Sequence, residues 1–348
     1  MPQSLPPQRF EKGNCVSDRR FDVLGLGNAI VDVIAQTDEG FLERHGLRKG
    51  AMTLIDEGRA EHLYSLMSPA RITSGGSAAN TIVGVASFGG SAAFIGKLKG
   101  DRLGQVFAHD IRAMGVQFDT APAAEGPATG RCFVLVTPDG ERTMNTYLGA
   151  GQNLSASDVD EATVRDSAIV YLEGYLWDPP EAKNAFLKAA AIAHAAKRLV
   201  ALTLSDPFCV DRYRMEFLEL IRANTIDIVF ANQHELISLY QTADFDTALE
   251  ALRETGVLGV VTRSEHGCVV VTREETHVVP AFPIDRLVDT TGAGDLFAAG
   301  FLVGLAREEE LVECARRGAL AASEVIQHFG ARPEVRLADL AAQEGFAI

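Results

Sequence analysis

An α/β fold is what this sequence predicts, with a mostly parallel central sheet covered by helices on both faces and a small β-rich lid beside it. Three observations carry that expectation. Short, almost wholly apolar runs begin at Phe21 and end in glycine or polar clusters. From Ala168 onward such runs alternate with stretches of helical length. The β-rich pieces near 30–56 and 117–150 fall outside that rhythm. Strands buried on both faces read as continuous apolar runs, and repeated strand–helix units imply a parallel sheet. A chain of 348 residues that is 47% hydrophobic can bury one large core over 21–348 together with such a lid.

Taken in order, residues 1–20 are rich in proline and charge with no apolar h-region, and read as a loose extension instead of a signal peptide. Phe21 to Leu26 is a short buried strand interrupted by Gly25. Ile30 to Ala35 and Met52 to Ile55 are short β-rich pieces. Arg131 to Val136 and Arg142 to Tyr147 flank Thr137-Pro138-Asp139-Gly140, the turn of a hairpin. The alternating region then gives strand Ala168 to Leu172, helix Pro180 to Ala196, strand Leu199 to Leu204, helix Asp211 to Ala223 and strand Asp227 to Phe230. Strands Gly259 to Thr262 and Cys268 to Val271 follow, then helices from about Gly292 and Glu308.

Lys and Arg total 32 against 47 Asp and Glu, a net charge of −15. The surface as a whole therefore repels nucleic acid and acidic membranes, and neither is expected as a partner. A phosphorylated ligand needs a local site built from backbone N–H groups, a few basic side chains and a divalent cation. Five widely spaced cysteines, Cys15, Cys132, Cys209, Cys268 and Cys314, form no C-x-x-C pair and point to a reducing cytoplasm. The most apolar stretch, Leu296 to Ala306, falls short of the roughly 20 residues a membrane span requires.

The strongest chemical motif is Asp289-Thr290-Thr291-Gly292-Ala293-Gly294-Asp295, running directly into a helical pattern. Small residues at a helix start let backbone N–H groups approach an anion, and the helix dipole favours negative charge there. A carboxylate inside that cradle would repel phosphate, so Asp295 is read as a base for an attacking hydroxyl. Gly25-Leu26-Gly27 lacks the third glycine of a dinucleotide fingerprint. Asn28 and Asp32 instead offer an amide and a carboxylate at a strand end, suited to vicinal hydroxyls, although Asp32 equally suits a surface charge. Gly75-Gly76 before an apparent helix brings Asn80 one turn inward. Gly90 to Lys97 misses the phosphate-loop pattern. Asn232 and Glu235 would share a helical face and suit a hydrated Mg²⁺, or form a helix cap. Thr262 to Gly267 joins two strands and could lie beside a nucleotide or serve only as a hairpin.

In this order the segments resemble the ribokinase and adenosine kinase family, the PfkB carbohydrate kinases, from about Phe21 to Pro333. The D-T-x-G-A-G-D signature at 289–295 is the most specific match, supported by Gly75-Gly76 with Asn80, Gly96-x-x-x-Gly100-Asp101-x-x-Gly104 and Asn232-x-x-Glu235. The resemblance implies a ribokinase-like fold, ATP as donor, Mg²⁺ as cofactor and Asp295 as catalytic base. It implies an anion hole at Gly292, Ala293 and Gly294, with Arg142 reaching the transferring phosphate. Nucleotide contacts fall at Asn232, Thr262, Gly267, Gly292, Gly294 and Gly330, and metal positioning at Asn232 and Glu235. Asp289 and Thr291 match positions that bind a monovalent cation in some relatives, making potassium a candidate activator. Lids in this family clasp dimers in some members and merely cover the site in others, so monomer and homodimer both fit.

Three stretches are more similar to adenosine kinase than to ribokinase: Gly27 to Asp32, Leu204 to Phe208 and Asp227 to Asn232. That similarity implies a nucleoside acceptor, with Asn28, Asp32, Gly75, Gly76 and Asn80 around the ribose. A nucleobase wants an aromatic surface, for which Tyr175, Trp177 and Phe133 are candidates, each as well suited to core packing. Glu173 matches the acidic residue that ribokinases carry near the sugar and keeps a sugar acceptor open; a silent nucleotide-binding sensor is the rival of another class, against which Asp295, Asn232 and Glu235 all argue.

Overall fold

The computed structural model describes residues 19–346, so most of the expected extension and Cys15 lie outside the described residues. A nine-stranded sheet forms the body. Its central part is parallel, running β12 (Leu258–Thr262), β11 (Ile228–Asn232), β10 (Leu199–Thr203), β9 (Ser167–Glu173), β1 (Phe21–Leu26), β5 (Ala92–Ile95) and β6 (Val116–Gln117). β13 (Cys268–Val271) and β14 (Thr276–Val279) extend one edge antiparallel.

Both faces are covered, which explains the continuous apolar runs. Val23, Phe94, Tyr171, Phe230 and Val260 point to one core, beneath α3 (Ser77–Ser87), α4 (Arg102–Ala113), α10 (Ala293–Ala306), α11 (Leu311–Val325) and α12 (Leu337–Gln343). Leu24, Val170, Leu202 and Val229, their neighbours on the same strands, point to the other. That core lies beneath α5 (Glu161–Arg165), α6 (Pro180–Ala195), α7 (Pro207–Arg222), α8 (Gln233–Tyr240) and α9 (Phe245–Thr255). The stretch from Leu296 to Ala306 proves to be the central buried helix α10, apolar all round because protein surrounds it.

A second, five-stranded sheet runs β3 (Met52–Leu54), β8 (Arg142–Gly149), β7 (Thr129–Val136), β2 (Ile30–Gln36) and β4 (Arg71–Gly75). β4 lies outside the two segments the sequence reading assigned to it; its R-I-T-S-G letters are too polar to announce a strand. One face packs on α1 (Glu39–Arg44) and α2 (Glu57–Leu66) through Val33, Leu42, Leu63, Phe133 and Leu135. Asp101 ties this sheet to the body, capping α4 at the Gly104 N–H and accepting from both the Thr129 N–H and hydroxyl.

Helix α7 begins at Pro207, four residues before the expected Asp211, because Asp206 accepts from the Cys209 N–H and Pro207 presets the first turn. Helix α11 begins at Leu311, after a left-handed Glu308 that ends the preceding turn.

Candidate active site

A cleft of about 1660 Å³ lies between the two sheets, at the C-terminal ends of β1, β9, β10, β11 and β12. Chain order reverses across β1, which pairs with β5 on one side and β9 on the other, and open α/β sheets bind ligands at such a switch point.

Asp295 sits in the first turn of α10 and is half-buried at the cleft. It accepts from the Ser77 hydroxyl at 2.6 Å and from Asn80 Nδ2 at 3.1 Å, both on α3. Burial pushes its carboxyl up to about 6, against the pull of those two donors. Gly292 caps the helix in the left-handed region at φ 81°, where a side chain would meet Ala331 backbone at 2.7 Å. Gly292, Ala293 and Gly294 line the cleft at this helix start, where the Ala293 N–H donates to the Thr290 carbonyl at 3.2 Å.

Asp32 stands across the cleft on β2, packed so closely on Gly75 that a Cβ there would lie 2.4 Å from its Oδ2. Burial raises it to about 6, opposed by Arg332 and then Arg142, with Asp295 adding to the rise. Asn28 lines the same corner, and Gly76, at φ 97°, lets its own backbone pass the Asn28 carbonyl where a Cβ would sit 2.3 Å away.

Glu173 departs from the role expected of it. Its carboxylate is taken by Asn28 Nδ2 at 2.6 Å, the Ala78 N–H at 2.9 Å and the Asn28 N–H at 3.3 Å, so it serves to fix Asn28. Burial lifts it to about 7.

Arg142 lines the cleft with partners the sequence does not announce. Its guanidinium pairs with Asp289 and donates to Thr291 Oγ1 at 2.9 Å. Asp289 further accepts from the Thr291 N–H at 3.0 Å and the Gly330 N–H at 2.9 Å. The two residues expected at a cation thus hold an arginine from the smaller sheet, because a buried guanidinium needs a carboxylate partner.

Asn232 and Glu235 form a complete capping box on α8. Asn232 Oδ1 accepts from the His234 and Glu235 N–H groups, while Glu235 accepts from the Asn232 N–H at 2.9 Å and Nδ2 at 2.6 Å. Both still face the cleft, and burial raises Glu235 to about 7. Thr262 and Gly267 line the same end, where a short 3₁₀ turn joins β12 to β13.

Of the three aromatic candidates, only Tyr175 lines the cleft. Its backbone N–H donates to Ser205 Oγ at 3.1 Å, and burial, then Asp206, raises its hydroxyl well above the usual range. Trp177 packs against Phe186 and Phe217, and Phe133 fills the α1–α2 side of the small sheet, so both are core. The cleft side of that sheet is instead aliphatic and sulfur-bearing, with Ile30, Ile34, Cys132, Val134 and Met144. A period-two alternation through 130–136 carries this face, since Cys132 and Val134 alternate with Phe133 and Leu135.

Ser77 and Arg332 were missed. Ser77 lies inside a stretch already singled out, but only contact with Asp295 gives it a role. Arg332 comes from the segment after α11, where no motif marks it, and reaches Asn80 Oδ1 at 3.3 Å and the Ser74 hydroxyl.

The family model described as pfkB family carbohydrate kinase matches residues 56–336. The crystal structure of adenosine kinase from Sinorhizobium meliloti is 56% identical, with a TM-score of 0.89 and coverage of 94% of this chain and 100% of that one. A probable sugar kinase protein from Rhizobium etli is 52% identical, with a TM-score of 0.90, covering 94% and 99%. Adenosine kinase 2 of Arabidopsis thaliana is 27% identical over 338 residues, 88% of this chain and 94% of that protein.

Proposed function

Since this chain belongs to the pfkB family of carbohydrate kinases, we propose that it transfers the γ-phosphoryl group of ATP to the 5′-hydroxyl of a nucleoside, adenosine first among them. The observation that carries this reading is the division of the acceptor side. Asp32, Asn28 and Asn80 form a polar corner beside Asp295, while Ile30, Ile34, Cys132, Val134 and Met144 form an apolar wall. A nucleoside matches both, ribose to the corner and flat base to the wall. A free sugar would set hydroxyls against the wall and leave them without partners. The likeness to the Sinorhizobium meliloti adenosine kinase supports the same choice.

In this reading Asp295 accepts the proton of the attacking hydroxyl, oriented by Ser77 and Asn80. Charge on the transferred group is met by the first-turn N–H groups of α10 and by Arg142, held at the edge of that turn on Thr291. The small sheet acts as a lid that keeps water from the transfer. ATP lies toward Thr262, Gly267 and Gly330. Magnesium, when bound, supplies shielding of the phosphate charge. Asn232 and Glu235 suit it through its water shell, because the Glu235 carboxylate is already engaged by Asn232. Potassium fits less well, since Asp289 has given its carboxylate to Arg142, Thr291 and Gly330, and it is assigned no step. Four free, buried cysteines support a reducing, cytoplasmic setting.

The test is ADP release with adenosine, guanosine, inosine, ribose and fructose. Adenosine should give the highest kcat/KM. A higher value for ribose or fructose would establish the sugar kinase reading, and release with none of them would favour a silent sensor.

A further inference from the structure

We propose that Arg332 is a specificity-determining residue that, paired with Asp32, reads one ribose hydroxyl of the acceptor. Asp32 accepts the hydroxyl's hydrogen while Arg332 Nη2 donates to its oxygen. This rests on the nucleoside reading and adds to it the residue that separates ribose from its deoxy forms.

The geometry begins with how the guanidinium is fixed. Nε donates to Asn80 Oδ1 at 3.3 Å and Nη1 donates to the Ser74 hydroxyl, so a planar fork is held at two of its three nitrogens. The third, Nη2, is shielded from solvent and has no hydrogen-bond partner among the described residues. Arg332 lines the cleft, so a bound molecule can supply that partner.

Asp32 occupies the same corner. It packs on Gly75, the chain neighbour of the Ser74 that anchors Nη1. Arg332 is also the foremost charge acting on Asp32, ahead of Arg142. Yet no ion pair within 4.0 Å joins the two among the described residues. A gap bounded by one anionic acceptor and one cationic donor has the complement of a hydroxyl, which both donates and accepts. A methylene in its place would leave both groups buried without partners, the arrangement that gives polar sites their largest discrimination.

Arg332 also holds the Asn80 amide whose other end donates to Asp295, so substitution there could lower turnover for structural reasons alone. The experiment must therefore read a ratio. Wild type, Arg332→Met and Arg332→Lys would be assayed for kcat/KM with adenosine, 2′-deoxyadenosine and 3′-deoxyadenosine.

A lost hydrogen bond to a charged group corresponds to roughly 10- to 100-fold. Arg332→Met should lower the ratio of adenosine to one of the two deoxy analogues by that factor, whatever loss the three acceptors share, so the preference for adenosine over that analogue collapses. Arg332→Lys should keep part of it. An equal loss on all three acceptors, or no loss on adenosine, overturns the assignment. If thermal melting shows that Arg332→Met does not fold, Arg332→Lys carries the comparison under the same criteria. If wild type turns over no adenosine, the nucleoside reading fails by itself. The same ratio, taken with the preferred sugar of the panel and its deoxy analogues, then decides the role of Arg332.

Discussion

Asp295 and Asp32 are half-buried carboxyls lining one cleft, and desolvation raises each to about 6. In the proposed reaction each is needed ionised, Asp295 to accept a proton and Asp32 to accept a hydroxyl's hydrogen bond. A raised carboxyl is protonated, and so inactive, as pH falls through its shifted value. We therefore expect kcat/KM for the acceptor to be flat above pH 7, to fall below about 6, and to approach a slope of two there. Asp32→Asn should reduce that slope to one, and Asp295→Asn should lower kcat by about 10² to 10⁴ above pH 7, the difference narrowing below about 6 as wild-type Asp295 is itself protonated. A pH profile of the purified enzymes checks this, and a slope of one in wild type would remove Asp32 from the titration. At this scale the sequence was legible where chemistry is local. The 289–295 letters announced a glycine-capped helix start carrying a carboxylate at the cleft, because the two are adjacent in the chain. Arg332 was invisible because its partners, Ser74 and Asn80, lie more than 250 residues away.

Helix α10 shows how an element is made to hold Asp295 accurately. Its neighbour α11 crosses it at paired glycines. A Cβ on Gly300 would lie 2.5 Å from the Arg317 carbonyl oxygen, and one on Gly318 would lie 2.6 Å from that of Phe297. Backbones in such contact leave no slack, so Asp295, in the first turn of α10, is fixed against α3 and its Ser77 and Asn80. Gly300→Ala must push the helices apart, an overpacking cost of about 1 to 3 kcal/mol. We expect a lower melting temperature and, because Asp295 moves with α10, a lower kcat with little change in KM for ATP. Calorimetry and steady-state kinetics test both, and a stable variant with reduced melting temperature but normal kcat would uncouple the packing from the site. The sequence showed α10 as an apolar run but could not reveal the glycine pairing, which is a meeting of two helices. Similarly, Asn232 and Glu235 have letters that suit a cap or a metal, and the structure draws the cap while leaving both at the cleft.

For the whole molecule, what matters is that the small sheet has two apolar faces with different covers. α1 and α2 bury one face through Leu42 and Leu63, and the cleft occupies the other. No second sheet from another chain is needed to cover it, so we expect a monomer of 37.3 kDa in sedimentation equilibrium. A concentration-dependent dimer that dissociates on substitution within α1 or α2 would reverse this. The parallel body, its strand alternation and the β-rich lid were determined by the sequence alone, because burial on two faces and turn chemistry leave a periodic record in neighbouring letters. Only the tertiary structure decided that β4 joins the small sheet, that Glu173 grips Asn28, that Arg142 rests on Asp289, and that Arg332 reaches Asn80 and Ser74. Each of these is a pairing between polar groups far apart in the chain, and such a pairing leaves no periodicity for a sequence to display.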